Sequence, residues 1–300
     1  MSDLGTNLKR ETTGCKLEIS STSASRSLTD SQRLAMAEVF HADVRSVRAS
    51  REIISRKLEP VKRVFRVLSA AREYWRAYTI KYEDGVRLIR TSRVADMNER
   101  MAAFQAELAD ACEELKDAWP EVIADARVRL ADLFVEGDYD FDPSRAFYLT
   151  ISYPAIEPDM RIKELAPDLY EAEAKRISAK FEEAACLAEE ALRAEFKGLV
   201  DSLAEKLTSE VDENGKRKVL RESALENITK FADRFKALSV TSDPELDALV
   251  ERVREMTGGV DLKSLKQTDV KTSFADALSG VREQMDSLFT SRPVRKFNLD

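Results

Sequence analysis

The residue types that most often do chemistry are thinly spread in this chain of 300 residues, which contains one histidine, three cysteines and 55 carboxylates. His41 lies in a helical pattern with no cysteine or carboxylate at ligand spacing, and a metalloprotease helix needs two histidines. A Ser-His-Asp site would need a serine presented on a sharp Gly-x-Ser-x-Gly turn, and no such string occurs. There is no Gly-x-x-x-x-Gly-Lys-Ser/Thr loop to cradle phosphates and no Gly-x-Gly-x-x-Gly turn after a strand. Cys15, Cys112 and Cys186 form no C-x-x-C pair and are odd in number, which argues against a zinc cluster or disulfide framework and fits a reducing compartment. The densest acidic group is Glu136, Asp138, Asp140 and Asp142. Its alternation resembles the start of a calcium loop, but Pro143 stands where that loop needs glycine and Leu149 where it needs glutamate. A solvated turn with Asp142 capping Pro143-Ser-Arg is the better reading. The expectation is therefore a protein without catalytic residues, metal or cofactor.

Charge distribution is more informative than the net of −7. Residues 45–93 hold 14 Lys/Arg against 5 Asp/Glu, whereas residues 96–191 hold 10 against 24. Such asymmetry fits a basic partner surface, head-to-tail contacts between copies, or two helices whose fields cancel within one molecule. The candidate surface is Arg45, Arg48, Lys62, Arg63, Arg66, Arg76, Lys81, Arg87, Arg90 and Arg93. Trp75, Tyr78 and Tyr82 are interleaved with it. Arginine beside aromatic rings suits a nucleic-acid groove, where phosphates pair with the guanidinium and bases stack on the ring. The same rings at these positions also suit a packed core.

The elements carrying these residues read as mainly helical. Glycine (9) and proline (8) are scarce, 43% of residues are hydrophobic and 34% charged, a composition of long helices with few breaks. Residues 1–30 read as a polar segment, loose to residue 14, with a short strand at Cys15–Ser20 and a Ser-rich connector. Thr29 or Asp30 caps the next helix. From Phe40 the apolar positions 40, 44, 47, 54, 58, 61, 65, 68 and 75 form a heptad seam if Arg51 and Arg72 fill two slots, which predicts a helix kinked at Pro60. Arginine in such a seam must be paired, be wet or face a ligand.

Glu83-Asp84-Gly85 between two β-prone runs predicts a hairpin over 78–90. A second helix follows from Thr91 or Ser92 to Ala118, and Trp119-Pro120 opens a third, to about Phe134. Residues 147–153 read as a strand joining the hairpin, and the N-terminal strand, in a small sheet. Apolar residues spaced by 3 or 4 from Tyr170 to Leu203 predict a helix over 167–207, about 60 Å long, forming one arm of an antiparallel coiled-coil hairpin. Residues 31–209 thus read as a long-helix domain with a small β element, and 210–300 as a C-terminal helical region. That region has a polar loop at 213–216, helices near 219–238, 244–256 and 270–289, and Asp243 capping Pro244. Its basic tail, 292–300, has an apolar tip and reads as a docking peptide or a frayed end. No signal peptide and no apolar run of about 18 residues is visible, so the expected setting is cytoplasmic and off the membrane.

Several strings in order resemble a known family. They are Leu17-Glu-Ile-Ser20 before Arg26-Ser-Leu-Thr29, Trp75 with Tyr78-Thr79 leading to Asp84-Gly85-Val-Arg87-Leu-Ile, and Ala118-Trp-Pro-Glu121. Ala131-Asp-Leu-Phe134, Asp138-Tyr139 and Phe147-Tyr-Leu-Thr-Ile-Ser-Tyr-Pro154 follow. This resembles an uncharacterised family of phage and plasmid proteins often encoded beside a MoxR/CobS-type AAA+ ATPase and a von Willebrand A-type protein. The likeness covers residues 15–207. It implies a phage or mobile-element protein in the host cytoplasm, a helical scaffold or adaptor that self-associates and binds a partner such as the AAA+ ATPase. The alternative expectation is a nucleic-acid-binding accessory protein using the basic 45–93 segment.

Overall fold

A computed structural model of the chain describes residues 3–21, 24–208, 221–239, 244–258 and 268–291. It is mainly helical with a small antiparallel sheet. The sheet has the order β4-β5-β1-β6, built from β1 (Thr12–Ser20), β4 (Ile80–Glu83), β5 (Val86–Arg90) and β6 (Tyr148–Ser152). β1 pairs with β5 through Thr12↔Arg90 to Cys15↔Arg87, and with β6 through Lys16↔Ser152 to Ser20↔Tyr148. The N-terminal strand is therefore the centre of the sheet. The hairpin turn falls where expected, with Gly85 at φ 80°, a conformation that costs a residue without Cβ little.

Alternation along the strands divides two cores. Cys15, Ile89 and Leu149 face α3 (Glu59–Ala77), α4 (Val94–Asp117) and α5 (Trp119–Leu130). Ile80 and Leu88 face the opposite way, onto Leu8 of α1 (Asp3–Glu11) and onto Ile177, Phe181, Ala184 and Ala185 of α8 (Pro167–Thr208). The N-terminal segment is thus not loose. α1 fills the space between sheet and α8, with Leu8 fully buried. It approaches α8 so closely that a Cβ on Gly5 would lie 2.5 Å from the Glu182 side chain. Leu4 and Leu8 stand one helical turn apart, but two apolar positions in a nine-residue polar helix are too short a pattern to read from sequence.

The helix expected to run from Phe40 through Pro60 is replaced by three pieces. α2 (Asp30–Phe40) opens on Thr29 with a capping box to Gln32 and stops at His41, which is left-handed at φ 50°. β2 (Ser25–Ser27) and β3 (Ser50–Glu52) then form a two-stranded ribbon. α3 starts at Glu59, with Pro60 in its first turn. Proline lacks the N–H that a helix interior needs but fits the first turn without loss, so here it starts a helix instead of kinking one. α3 and α4 lie antiparallel, with Arg63 paired to Glu114 near one end and Arg93 over the Tyr78 ring at the other.

α8 is 42 residues long, but it has no single antiparallel partner along its length. Its first half packs on α1, on the sheet and on α7 (Met160–Leu165). Its second half joins α9 (Glu222–Leu238), α10 (Pro244–Gly258) and α11 (Thr268–Ser291) in an up-down four-helix bundle. The directions follow from cross-helix pairs. Phe196 stacks on Phe231 at 5.5 Å, Lys236 meets Glu251 at 2.7 Å, and Asp201 meets Arg282 at 2.7 Å. One apolar core runs from Leu192 to Leu207 of α8 into all three later helices, so residues 222–291 close their core only against α8. The 213–216 loop, the Asp243 cap and the tail 292–300 lie outside the described residues.

Phe196→Ala and Leu8→Ala test these two packings. We expect losses of about 3–5 kcal/mol for the first and about 2–5 kcal/mol for the second, read by urea denaturation. A loss below about 1 kcal/mol at Leu8 would mean that α1 is not part of the core.

Candidate functional site

The chemistry-bearing residues of the sequence are occupied structurally. His41 is exposed and serves as the end of α2, its backbone N–H reaching Ala37 O and Glu38 O. The acidic turn is divided among local partners. Asp138 Oδ2 accepts from Arg51 Nη2 at 2.7 Å and Nε at 3.2 Å, while Arg51 Nη1 donates to Gln32 Oε1 at 2.7 Å and Ser27 O at 3.2 Å. Arg51 is 5% exposed. It therefore ties the β2–β3 ribbon to the cap of α2 and to the acidic turn. Glu136 pairs with Arg127. Asp142 accepts from the backbone N–H and hydroxyl of Ser144, which hold its carboxyl below the usual range and start the short helix α6 (Pro143–Ala146). Among the described residues, no three His, Cys, Asp or Glu side chains form a group that could hold a metal ion. Burial pushes the Cys15 and Cys112 thiols up to about 11, so neither is a thiolate nucleophile at neutral pH. No helix among the described residues is long and apolar enough to cross a membrane.

The ten basic residues do not make one surface. Arg45 and Arg48 are exposed on the turn after α2. Lys62 and Arg66 both meet Glu59, Arg63 meets Glu114 with Asp110 and Glu107 nearby, and Arg93 meets Asp96. The opposed fields of α3 and α4 thus meet within the molecule. Arg90 reaches Glu11 at 3.2 Å and the Lys236 carbonyl at 3.4 Å, joining α1, β5 and the end of α9. Arg87 donates to Thr79 Oγ1 and Thr79 O, both at 2.7 Å, and to Arg76 O at 3.3 Å. Its guanidinium lies over the Trp75 ring at 5.5 Å, and burial lowers its pKa. It satisfies carbonyls at the end of α3, where a helix leaves acceptors unpaired. The interleaved rings are packed as well: Trp75 is buried, Tyr78 contacts Tyr74, and Tyr82 contacts Phe181 at 5.1 Å. Arg76 and Lys81 remain exposed.

Those two residues stand on the rim of a groove that follows β4. α8 passes beneath the sheet at this edge, and two adjoining hollows lie between strand and helix, sharing Lys81 and Leu187. The first has a volume of about 420 Å³ and a floor of Ile80, Leu187, Ala188, Ala191 and Leu192, with Arg76, Lys81 and Arg87 above it. The second, about 560 Å³, runs past Tyr82, Glu83 and Asp84, opposite Arg176, Lys180 and Glu183. Glu83 bridges strand to helix. Lys180 hydrogen-bonds it directly, holding its carboxyl below the usual range, and Arg176 approaches to 3.5 Å. The Tyr82 hydroxyl is buried with no hydrogen-bond partner among the described residues, and burial pushes its pKa to about 12. Leu187, where the hollows meet, is 52% exposed. The first hollow is thus an apolar trough with Arg76 and Lys81 on its rim, and the second is lined mainly by charged side chains.

Sequence reasoning reached Arg76, Lys81 and Arg87 but not Leu187, Ala191, Arg176 or Lys180. The available signal was Leu187 itself, an apolar residue just outside the seam that runs through 181, 184, 188 and 192. No known family, curated protein or solved structure matches the chain.

Asp138→Asn should cost about 3–5 kcal/mol in urea denaturation, because it leaves a buried guanidinium uncompensated. Added calcium should leave the stability of the wild-type protein unchanged. An alkaline limit follows from the raised pKa values. A group buried in its neutral form stabilises the fold fully below its ordinary pKa, and the contribution is lost as pH rises towards the folded-state value. Thermal midpoints should therefore fall as pH climbs from the usual thiol value of 9.0 towards about 11.

Proposed function

We propose that this chain is a non-catalytic helical scaffold or adaptor that works by binding another protein, with the β4–α8 groove as its working surface. The observation that carries the reading is the groove, with Leu187 half exposed on an apolar floor beside a cationic rim. A concave apolar patch with a few placed charges is the usual form of a binding site. Glu136, Asp138, Asp142, Cys15 and Cys112 are engaged in pairing, capping or burial. The resemblance over residues 15–207 names a candidate partner, a AAA+ ATPase of the MoxR/CobS type, and a phage or mobile-element setting. Cys15 and Cys112, buried as free thiols, support a reducing compartment such as the host cytoplasm. Arg63 and Glu114 satisfy part of the charge asymmetry within one molecule, so self-association would use the charges that stay exposed.

The nucleic-acid reading keeps one specific support. Arg45, Arg48, Arg76 and Lys81 are exposed. Charge reversal at Arg87 or Arg90 would break contacts inside the fold and cannot test it, so Arg45 and Arg48 are the residues to reverse.

Light scattering at low and high salt, with and without a short DNA duplex, separates the readings. Calorimetry against a purified AAA+ ATPase of the stated type complements it. We expect a complex with the ATPase that Leu187→Asp weakens by about tenfold or more and no complex with DNA. A DNA complex that dissolves with salt and is lost on reversing Arg45 and Arg48 would replace the adaptor with the nucleic-acid reading.

A further inference from the structure

We infer that the groove takes its partner as an extended peptide, added as a fifth strand on the outer edge of β4, and that the peptide is apolar with carboxylates towards one end. This rests on the binding reading above and specifies its mode.

β4 ends the sheet. Its only ladder is with β5, through Ile80↔Leu88, Lys81↔Arg87 and Glu83↔Val86. Among the described residues, no other backbone group bonds to residues 80–83. A strand edge of this kind presents a row of donors and acceptors to any chain that can lie beside it. Most proteins guard such edges, and here the guards are the strand's four-residue length, Lys81 and an irregularity between Lys81 and Glu83, none of which covers the edge. Lys81 projects from the strand, and the hairpin tip is tied down by Glu83.

The helix beneath supplies what an added strand needs. Ile80 and Leu88 rest on Phe181, Ala184 and Ala185, so α8 already forms the floor under the last strand. Its flank continues outward past the edge, as Leu187 with Ala188 and Ala191. Strands are spaced about 4.8 Å apart, so a fifth strand would place alternate side chains over this flank. The small alanines leave room there, and Leu187 would be covered. Recognition by main-chain pairing beside a helix, with alternate side chains entering pockets, is an established mode of peptide binding. At about 3.4 Å per residue, the stretch from Thr79 to Asp84 accommodates roughly five or six peptide residues.

Charge sets the peptide's composition. Exposed Arg76 and Lys81 stand over the apolar end of the groove, where Glu195 is paired with Arg234 and Arg87 is held by oxygens of its own chain. Asp84 and Glu183 are exposed at the other end. A carboxylate belongs at the first end and a neutral or basic residue at the second.

The test uses the full chain and a fluorescein-labelled octapeptide of alternating valine and threonine ending in two glutamates, read by anisotropy. Three companions accompany it: the same peptide with lysines for the glutamates, one N-methylated at alternate backbone positions, and one N-methylated at the intervening positions. Binding should survive methylation in one phase and fall about tenfold or more in the other, because only one phase carries the N–H groups facing β4. Leu187→Asp should abolish binding, and Arg76→Glu should shift preference to the lysine peptide; both are surface changes, checked for folding by circular dichroism. Equal loss, or none, from the two methylation phases would overturn strand addition. If binding still required Leu187, the adaptor reading would stand without it. Absence of binding by any peptide overturns the inference, and the ATPase calorimetry then decides the adaptor reading separately. Displacement of the peptide by duplex DNA, or a dimer that excludes it and is broken by Leu187→Asp, would reassign the edge to nucleic acid or to a second copy.

Discussion

A single uninterrupted helix serves two cores, and the rest of the molecule is arranged around that constraint. Over its first half α8 offers Ile177, Phe181 and Ala184 to the sheet. Over its second half it offers Phe196, Val200 and Leu203 to the bundle. A helix of 42 residues is about 63 Å long, longer than a sheet of four short strands can cover. The remainder must be buried by other elements or stay wet, and α9, α10 and α11 bury it. Arg90 adds a further tie, since it contacts Glu11 and the Lys236 carbonyl at once.

The same constraint creates the groove. A short edge strand lies over a long straight helix, so the helix extends beyond the strand on the open side. What the sheet fails to cover is Leu187 and the alanines near it. Glu83, held by Lys180 and Arg176, fixes the tip of the hairpin against the helix at one end. Arg87, bound to Arg76 O at the end of α3 and to Thr79 just beyond it, fixes the strand at the other. The trough between them is therefore framed by ion pairs and helix-end hydrogen bonds, and its shape follows from the packing that stabilises the fold.

Arginine does most of its work here as a cross-linker. A planar fork of five fixed donors reaches acceptors spread across its width, whereas a lysine gathers its three donors on one nitrogen. Arg51 joins a ribbon, a helix cap and a turn, and Arg87 satisfies the end of α3. Both stood out in the sequence as candidates for a ligand or a basic surface, and both instead bind acceptors of the same chain. A basic count along a sequence measures how many guanidinium groups exist; which of them face solvent depends on the acceptors that folding brings near.

Much of the local structure was written in the sequence, because its causes are local. Thr29 with Gln32 caps α2, Asp84-Gly85 turns the hairpin, Asp142 before Pro143 starts a helical turn, and the 3-4 spacing of α4 and α8 marks their buried faces. The helix through Pro60 was misread for a related reason. Heptad spacing continues across 40–58, yet Arg51 is buried in a β-ribbon by an Asp138 that is 87 residues away, and no local pattern carries that pairing. The N-terminal helix was missed because Leu4 and Leu8, one helical turn apart, make a pattern too short to stand out in a polar stretch. The groove was hidden because it belongs to no element. Sequence determined a strand, a helix and a leucine off the helix's seam, and only the tertiary structure decided that the strand would lie at an edge with that leucine uncovered beside it.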